Sequence, residues 1–233
     1  MPSTQAKSTI TIYQHYDLLY WWVVWLYSSF CFAVTYIWGK PIDINGHTVK
    51  IYSDAWLGVS FVFLVLFVAV FTNLRARGAM SAILVLALVV AAGAIEAVFK
   101  WQTVFNLFPL LKVHMNLSFY GTITVVLFPI WLITTTILNR LQYYSFHGSN
   151  NITIGNPIAE KKRNFIADNI EVSKLPDDIF VHRLLGLWWL GGGTGDVEIR
   201  FTTPSGGTET HIIKNVWRVG QKLDRITRTI SKL

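Results

Sequence analysis

Long uninterrupted apolar stretches alternate with short polar links through the first part of the chain. Four of these stretches match the length of a membrane-spanning helix, and they cover residues 18–38, 56–74, 79–99 and 117–138. About 20 helical residues cross the hydrocarbon core of a bilayer, and in lipid the backbone polar groups must be satisfied within the helix itself. Glu96 is the only charged residue in the four stretches. The pattern therefore predicts a bundle of four transmembrane helices over residues 1–140.

Two of the links between the predicted spans carry patterns of their own. In residues 40–54, alternating apolar positions flank Asn45-Gly46, which is the strongest short sequence signal for a β-hairpin. Residues 100–116 are too apolar for a loop in free water, and they contain Trp101, Phe105, Leu107, Phe108, Leu110 and Leu111. We expect this second loop to lie in the membrane interface or to pack against a partner.

The third span carries a face of small residues. Ala87, Ala91 and Ala94 recur at helical spacing, and Gly93 and Ala97 extend the face. Small residues let membrane helices approach closely where no hydrophobic force sorts them. We therefore predict a helix–helix contact at Ala87, Ala91 and Ala94. The pattern leaves two alternatives open, packing within the bundle of this chain and packing against another subunit.

The composition changes abruptly after residue 140. Residues 141–233 hold twelve of the 20 Lys and Arg residues and nine of the 13 Asp and Glu residues of the chain. Apolar residues alternate with polar ones here, as in half-buried strands, at Tyr144 and Phe146, at Ile152 and Ile154, and at Val197, Ile199 and Phe201. A turn at 204–207 leads into another candidate strand at 208–214. The pattern predicts a small, mainly β domain over residues 141–233.

The end of the chain has the pattern of an amphipathic helix. Apolar residues recur every three or four positions, at Val216, Val219, Leu223, Ile226, Ile230 and Leu233. This spacing predicts a C-terminal helix over residues 216–233 that packs over one opening of the sheet. Basic residues occupy other positions of the same helix, at Arg218, Lys222, Arg225, Arg228 and Lys232. Two interpretations are open: these basic residues face anionic lipid headgroups or a partner, or they face solvent.

The second half of this domain contains a recognisable order of segments. Residues 178–186 lead through a glycine cluster to Gly193-Thr194-Gly195-Asp196, and a strand ending at 212–216 leads to the last helix. This order resembles the bacterial pleckstrin-homology-like domain family, which is often fused to transmembrane helices. The resemblance covers residues 141–233 and implies a bent barrel or sandwich capped by a helix, on a protein of the bacterial inner membrane. The family has no catalytic residues to carry over.

The distribution of basic residues predicts the orientation. Arg75, Arg77 and Arg140 follow the second and fourth spans, on the side where an even number of spans also places both termini. Cytoplasmic loops of membrane proteins are enriched in Lys and Arg. We therefore predict that both termini are cytoplasmic. The net charge of +7 fits the same pattern, and we expect no nucleic-acid partner.

The sequence contains no motif typical of catalysis or of cofactor binding. A single cysteine, Cys31, excludes an internal disulfide and a cysteine-based metal cluster. The glycine run at 191–195 lacks the Lys and the Ser or Thr that complete a phosphate-binding P-loop. The six histidines have no metal-ligand spacing, and they are His15, His47, His114, His147, His182 and His211. We predict no enzymatic activity, no cofactor and no metal site.

Three functions remain as hypotheses. The first is a non-catalytic integral membrane protein whose cytoplasmic domain mediates protein–protein contacts, as a scaffolding subunit of an oligomer or a larger membrane assembly. The second is a protein that binds anionic lipid or senses the membrane through the basic terminal helix. The third is a channel or transporter. The expected partners are membrane lipids and other membrane subunits, including further copies of this chain.

Overall fold

A computed structural model describes residues 9–74, 78–147, 151–156, 161–166, 168–186, 193–202 and 206–230 of the chain. The fold divides into two compact units. One unit is the helical segment Tyr20–Leu132, and the other combines the parts of the chain that precede and follow it. We call them the membrane unit and the strand unit, and each is described by itself.

Four helices are long and apolar enough to cross a membrane. They are α1 (Trp22–Trp38), α2 (Trp56–Leu74), α3 (Ala79–Phe99) and α5 (Leu117–Thr136). A 3-10 turn at Asp17–Trp21 precedes α1, and another at Leu138–Arg140 follows α5. The short helix α4 (Trp101–Leu107) and a 3-10 turn (Phe108–Leu111) connect α3 to α5. The prediction of four long apolar helices is confirmed, with bounds close to those expected from sequence.

Three of the long helices share a core. Buried side chains come from α1, α2 and α5 and include Cys31, Phe61 and Tyr120. The rings of Phe61 and Tyr120 meet edge to face with centroids 5.5 Å apart. The Ser28 hydroxyl donates to the backbone carbonyl of Tyr120 at 2.9 Å, which ties α1 to α5. By contrast, Ser81 is the one buried residue that α3 contributes among the described residues.

A β-hairpin follows α1, as the sequence predicts. Strands β2 (Lys40–Ile44) and β3 (His47–Ile51) pair antiparallel with Ile42 opposite Val49. Asn45 and Gly46 form the turn with φ angles of 54° and 79°. Both residue types tolerate positive φ, which a two-residue hairpin turn of type I′ requires at both positions.

The strand unit contains two antiparallel sheets. Strands β1 (Ile10–Tyr13), β4 (Tyr143–His147), β5 (Asn151–Asn156) and β6 (Lys161–Ile166) form the first sheet in the order β1-β4-β5-β6. Strands β7 (Asp168–Lys174), β8 (Thr194–Thr202) and β9 (Thr208–Trp217) form the second in chain order. A π-helix (Ile179–Leu185) lies between β7 and β8, and helix α6 (Val219–Ile230) follows β9.

The first strand of this unit precedes the four long helices in the sequence. Ile12 of β1 pairs opposite Tyr144 of β4, so two neighbouring strands of one sheet are separated in the chain by all four long helices. Residues 9–19, which the sequence pattern groups with the membrane half, lie with the strands. The pairing brings the chain before the first long helix next to the chain after the fourth.

One hydrophobic core holds the strand unit together. Ile12, Phe146 and Ile152 come from the first sheet, and Ile199, Phe201 and Ile213 come from the second. Val219 and Ile226 of α6 complete this core. The helix predicted over 216–233 begins at Val219, because β9 continues to Trp217 and Arg218 turns the chain with a φ angle of 51°. Lys232 and Leu233 lie outside the described residues.

Candidate functional site

The small-residue face of α3 is uncovered. Ala87, Ala91 and Ala94 are all exposed. In α3 the most apolar 18-residue window has 0% of its residues buried, against 33% in each of the two preceding long helices. Gly93 lies about 160° around the helix from Ala91, so it belongs to the other side of α3 and not to this face as predicted. A Cβ atom added there would also meet nothing within 4 Å. Within the described part of the chain, packing inside its own bundle therefore does not cover this face.

The segment after α3 also exposes apolar surface. Phe105 is 59% exposed and Leu110 is 68% exposed. Glu96, the acidic residue near the end of α3, accepts a hydrogen bond at 2.9 Å from the backbone N–H of Trp101. The carboxylate thereby caps the first turn of α4, where a negative charge is favoured. Glu96 has a structural role in this geometry.

The basic residues predicted on the terminal helix divide into two groups. Arg218, Arg225 and Arg228 are exposed, whereas Lys222 is half-buried. Burial lowers the pKa of Lys222 below its ordinary value, because desolvation disfavours the charged ammonium group. Lys232 lies outside the described residues. The helix therefore does not present its basic residues as one continuous solvated stripe.

A cavity of about 430 Å³ lies at the start of α6, within the strand unit. Its walls come from four places in the chain: Lys174 and Asp177 after β7, His182 and Arg183 in the π-helix, Gly193 and Thr194 at β8, and the turn from Arg218 to Gln221. Arg218 belongs to the basic residues predicted on the terminal helix, and Gly193 and Thr194 belong to the glycine motif, whereas the sequence indicates no role for Lys174 or Arg183. No sequence pattern links the lining residues, because they come from segments that are far apart in the chain and meet only in the folded unit.

The electrostatic balance of the cavity is positive. The Lys174 ammonium lies 2.7 Å from Oδ2 of Asp177, so these two charges offset each other. The guanidinium groups of Arg183 and Arg218 pair with no carboxylate among the residues that the structure describes. Two cationic side chains therefore remain uncompensated at the cavity.

Backbone N–H groups add to this positive character. The first hydrogen bond of α6 runs from the N–H of Lys222 to the carbonyl of Arg218 at 3.2 Å. The N–H groups from Val219 to Gln221 precede it and have no acceptor within the helix. The N–H of Arg218 donates to the carbonyl of Gly193 at 2.8 Å, which fixes the turn against β8.

A buried polar network lies next to the cavity. Oδ1 of Asp196 accepts a hydrogen bond from the backbone N–H of Asn215 at 2.8 Å and lies 3.6 Å from Nε2 of His182. The side-chain amide of Asn215 donates to the carbonyl of His15 at 3.0 Å and to Oδ1 of Asp17 at 2.8 Å. Asp196, which the sequence analysis noted in a glycine motif, thus helps connect the second sheet to the segment before α1.

The π-helix that carries Arg183 has its own cap. Oδ1 of Asp178 accepts hydrogen bonds from the N–H groups of Phe180 at 2.9 Å and Val181 at 3.1 Å. The N–H of Asp178 donates to Nδ1 of His182 at 3.2 Å, so in the neutral ring the proton sits on Nε2, which lies nearest Asp196. These contacts fix the cavity wall at His182 and Arg183.

Two further results bear on function. Within the described residues, no group of three or more His, Cys, Asp or Glu side chains is placed to hold a metal ion. Comparison with models of protein families, with curated proteins and with solved structures gives no match for this chain.

Proposed function

We propose that this protein is a non-catalytic subunit of a membrane assembly, and that it associates through α3 with a second copy of the chain or with another membrane subunit. The observation that carries the proposal is the exposure of the Ala87, Ala91 and Ala94 face. The other three long helices contribute buried apolar residues to a common core, and α3 contributes none among the described residues.

The composition of the exposed face favours a protein partner over lipid alone. Lipid tails are as apolar as large aliphatic side chains, so contact with lipid does not select small residues. Small residues in register allow two helix backbones to approach, and the gain is close van der Waals packing. Ala87, Ala91 and Ala94 supply such a surface on one side of α3.

The segment that follows α3 also exposes apolar side chains. Phe105, Leu110 and Leu111 are exposed between α3 and α5. Contiguous exposed apolar patches on a protein commonly mark a contact with another protein or with the membrane. A partner that packs on α3 can also cover this segment, which supports an assembly that continues beyond the hydrocarbon core.

The strand unit supports a second part of the proposal. Two antiparallel sheets around one core, with a terminal helix, agree with the sandwich that the resemblance to the bacterial pleckstrin-homology-like family implies. We propose that the unit has this fold, lies in the cytoplasm of a bacterium beneath the inner membrane, and mediates protein contacts. The positions of Arg75, Arg77 and Arg140 support the orientation.

The test is the native mass of the full chain after extraction with a mild detergent and in nanodiscs. Ala91→Leu adds bulk where two backbones approach, and overpacking typically costs about 1–3 kcal/mol. We expect the variant to insert normally but to have a lower native mass. Ala82→Leu is the matched control, because Ala82 is also exposed and lies on the opposite side of α3. A wild-type chain that is strictly monomeric and free of partners in both media would contradict the proposal.

A further inference from the structure

We propose that the cavity at the start of α6 binds a phosphoryl group, carried either by a lipid headgroup or by a soluble phosphate monoester. The proposal is independent of association through α3. It rests on three features of the strand unit at one place in the fold: a half-open cavity, cationic side chains that line it, and helix N–H groups without an acceptor within the helix.

The cationic side chains come from separate elements. Lys174 ends β7, Arg183 belongs to the π-helix and Arg218 precedes α6. All three residues line the same cavity, and like charges around one space favour an anion there. Asp177 offsets Lys174 and leaves the two guanidinium groups available. Guanidinium groups bind phosphate oxygens through paired, charge-assisted hydrogen bonds.

The first turn of α6 supplies neutral donors for the same anion. Its N–H groups from Val219 to Gln221 lie at the cavity and lack acceptors within the helix. The N-terminal end of a helix carries a partial positive charge, so these donors favour an anionic oxygen. A phosphate monoester presents three terminal oxygens to the guanidinium groups and the helix, one more than a carboxylate does.

The volume and the rigidity of the cavity suit a small ligand. A space of about 430 Å³ exceeds a bare phosphate ion and falls within the range of small-molecule pockets. The backbone that carries Arg183 and Arg218 is fixed before any ligand arrives, because Asp178 caps the π-helix and Gly193 accepts from the N–H of Arg218. A fixed backbone lowers the entropic cost of binding.

The experiment uses the full chain in glycoside detergent micelles, which contain no phosphate. Glycerol 3-phosphate is titrated by calorimetry as the soluble probe, and mixed micelles with phosphatidic acid serve as the lipid probe. Arg183→Gln and Arg218→Gln should each weaken binding about tenfold, the loss expected for one charge-assisted contact. Arg228→Gln is the matched control, because Arg228 is exposed on the same helix and outside the cavity. It should change binding less than twofold.

The outcomes separate the two sources of the ligand. Saturable binding of glycerol 3-phosphate with this pattern of variants supports a soluble ligand, and binding of phosphatidic acid alone with the same pattern supports a lipid headgroup. Equal weakening by all three variants would show unspecific attraction to a basic surface and overturn the proposal, as would binding of neither probe. If Arg218→Gln unfolds the strand unit, Arg183→Gln decides, because its side chain is exposed.

Discussion

In both α6 and α3 the sequence predicts one face that makes contacts, but the face of α6 is buried and the face of α3 is exposed. In α6, Val219 and Ile226 are buried in the core of the strand unit. In α3, Ala87, Ala91 and Ala94 remain exposed. Water drives the apolar residues of α6 against the sheets, whereas lipid exerts no such force on α3. An apolar stripe therefore reports burial in a helix that faces water. In a membrane helix, where every side is apolar, it is the small residues that mark a candidate contact.

The largest expected effect comes from breaking the α6 contact. Ile226 is 0% exposed, so Ile226→Asp buries a carboxylate without a partner at a cost of several kcal/mol. The whole stability of a small domain is about 5–15 kcal/mol. We expect the strand unit to lose its cooperative unfolding transition. Hydrogen exchange of the full chain in micelles measures this loss.

Two further variants calibrate that result. Thr227→Asp places the same charge on the next, exposed position and should leave hydrogen exchange nearly unchanged. Leu223→Asp should have an intermediate effect, because Leu223 is partly buried against the same core. Normal protection in Ile226→Asp would mean that α6 does not hold the sheets together.

The second prediction concerns the strand that comes from the other end of the membrane segment. Ile12 is 0% exposed in the shared core, and Ile12→Ala should lower the free energy of unfolding of the strand unit by about 2–5 kcal/mol. Chemical denaturation of the full chain in micelles measures this loss. Thr9→Ala is the control, because Thr9 is exposed beside the same strand.

A fusion that omits the membrane helices sharpens the test of β1. The backbone N–H of Tyr16 donates to the side-chain oxygen of Asn139 at 3.0 Å, so the two segments lie close together. Joining residues 9–17 to residues 139–233 with a short Gly-Ser linker should turn β1 and β4 into a hairpin. We expect the fusion to melt cooperatively and residues 141–233 alone to melt at a lower temperature. Equal melting of the two would contradict the role of β1.

The sequence predicts those parts of the fold whose signal is local. The four long helices, the hairpin at Asn45-Gly46 and the strands β4, β5, β8 and β9 all carry continuous apolar stretches or alternation over neighbouring residues. Strand β1 has four residues and pairs with a strand beyond the membrane segment, so alternation within it is too short to detect. The pairing of β1 with β4 joins segments far apart in the chain, so no local sequence pattern indicates it.

The candidate site is less predictable than the fold for the same reason. Lys174, Arg183 and Arg218 are far apart in the chain, and each one alone is typical of a solvated loop or helix end. Their convergence depends on the turn at Arg218 and on the cap at Asp178, which require the packed sheets. For α3, the sequence identified the face and could not decide whether the chain itself would cover it.

The third prediction identifies the partner of α3. Cys31 is the only cysteine of the chain, so Cys31→Ser provides a background for single-cysteine variants. If a second copy packs on the Ala91 face, Ala91→Cys should form a disulfide-linked dimer in membranes under mild oxidation. Ala82→Cys on the opposite side should not. A partner of different sequence would give a lower native mass in Ala91→Leu without a cross-linked homodimer in Ala91→Cys.

The smallest expected effect is a pH dependence of the strand unit that arises at His15. Burial, and secondarily the nearby charge of Lys222, lower the pKa of His15 below its ordinary value of 6.5. Unfolding restores the ordinary value, so the unfolded chain binds a proton first as the pH falls. Stability attributable to His15 is therefore complete above about pH 6.5 and decreases below it, by at most about 1.4 kcal/mol per pH unit.

Urea denaturation at pH 7.5 and 5.5 measures the decrease. His15→Gln should reduce it, and Lys222→Gln should reduce it less, because burial of His15 remains. An unchanged decrease in His15→Gln would assign the pH dependence to other groups.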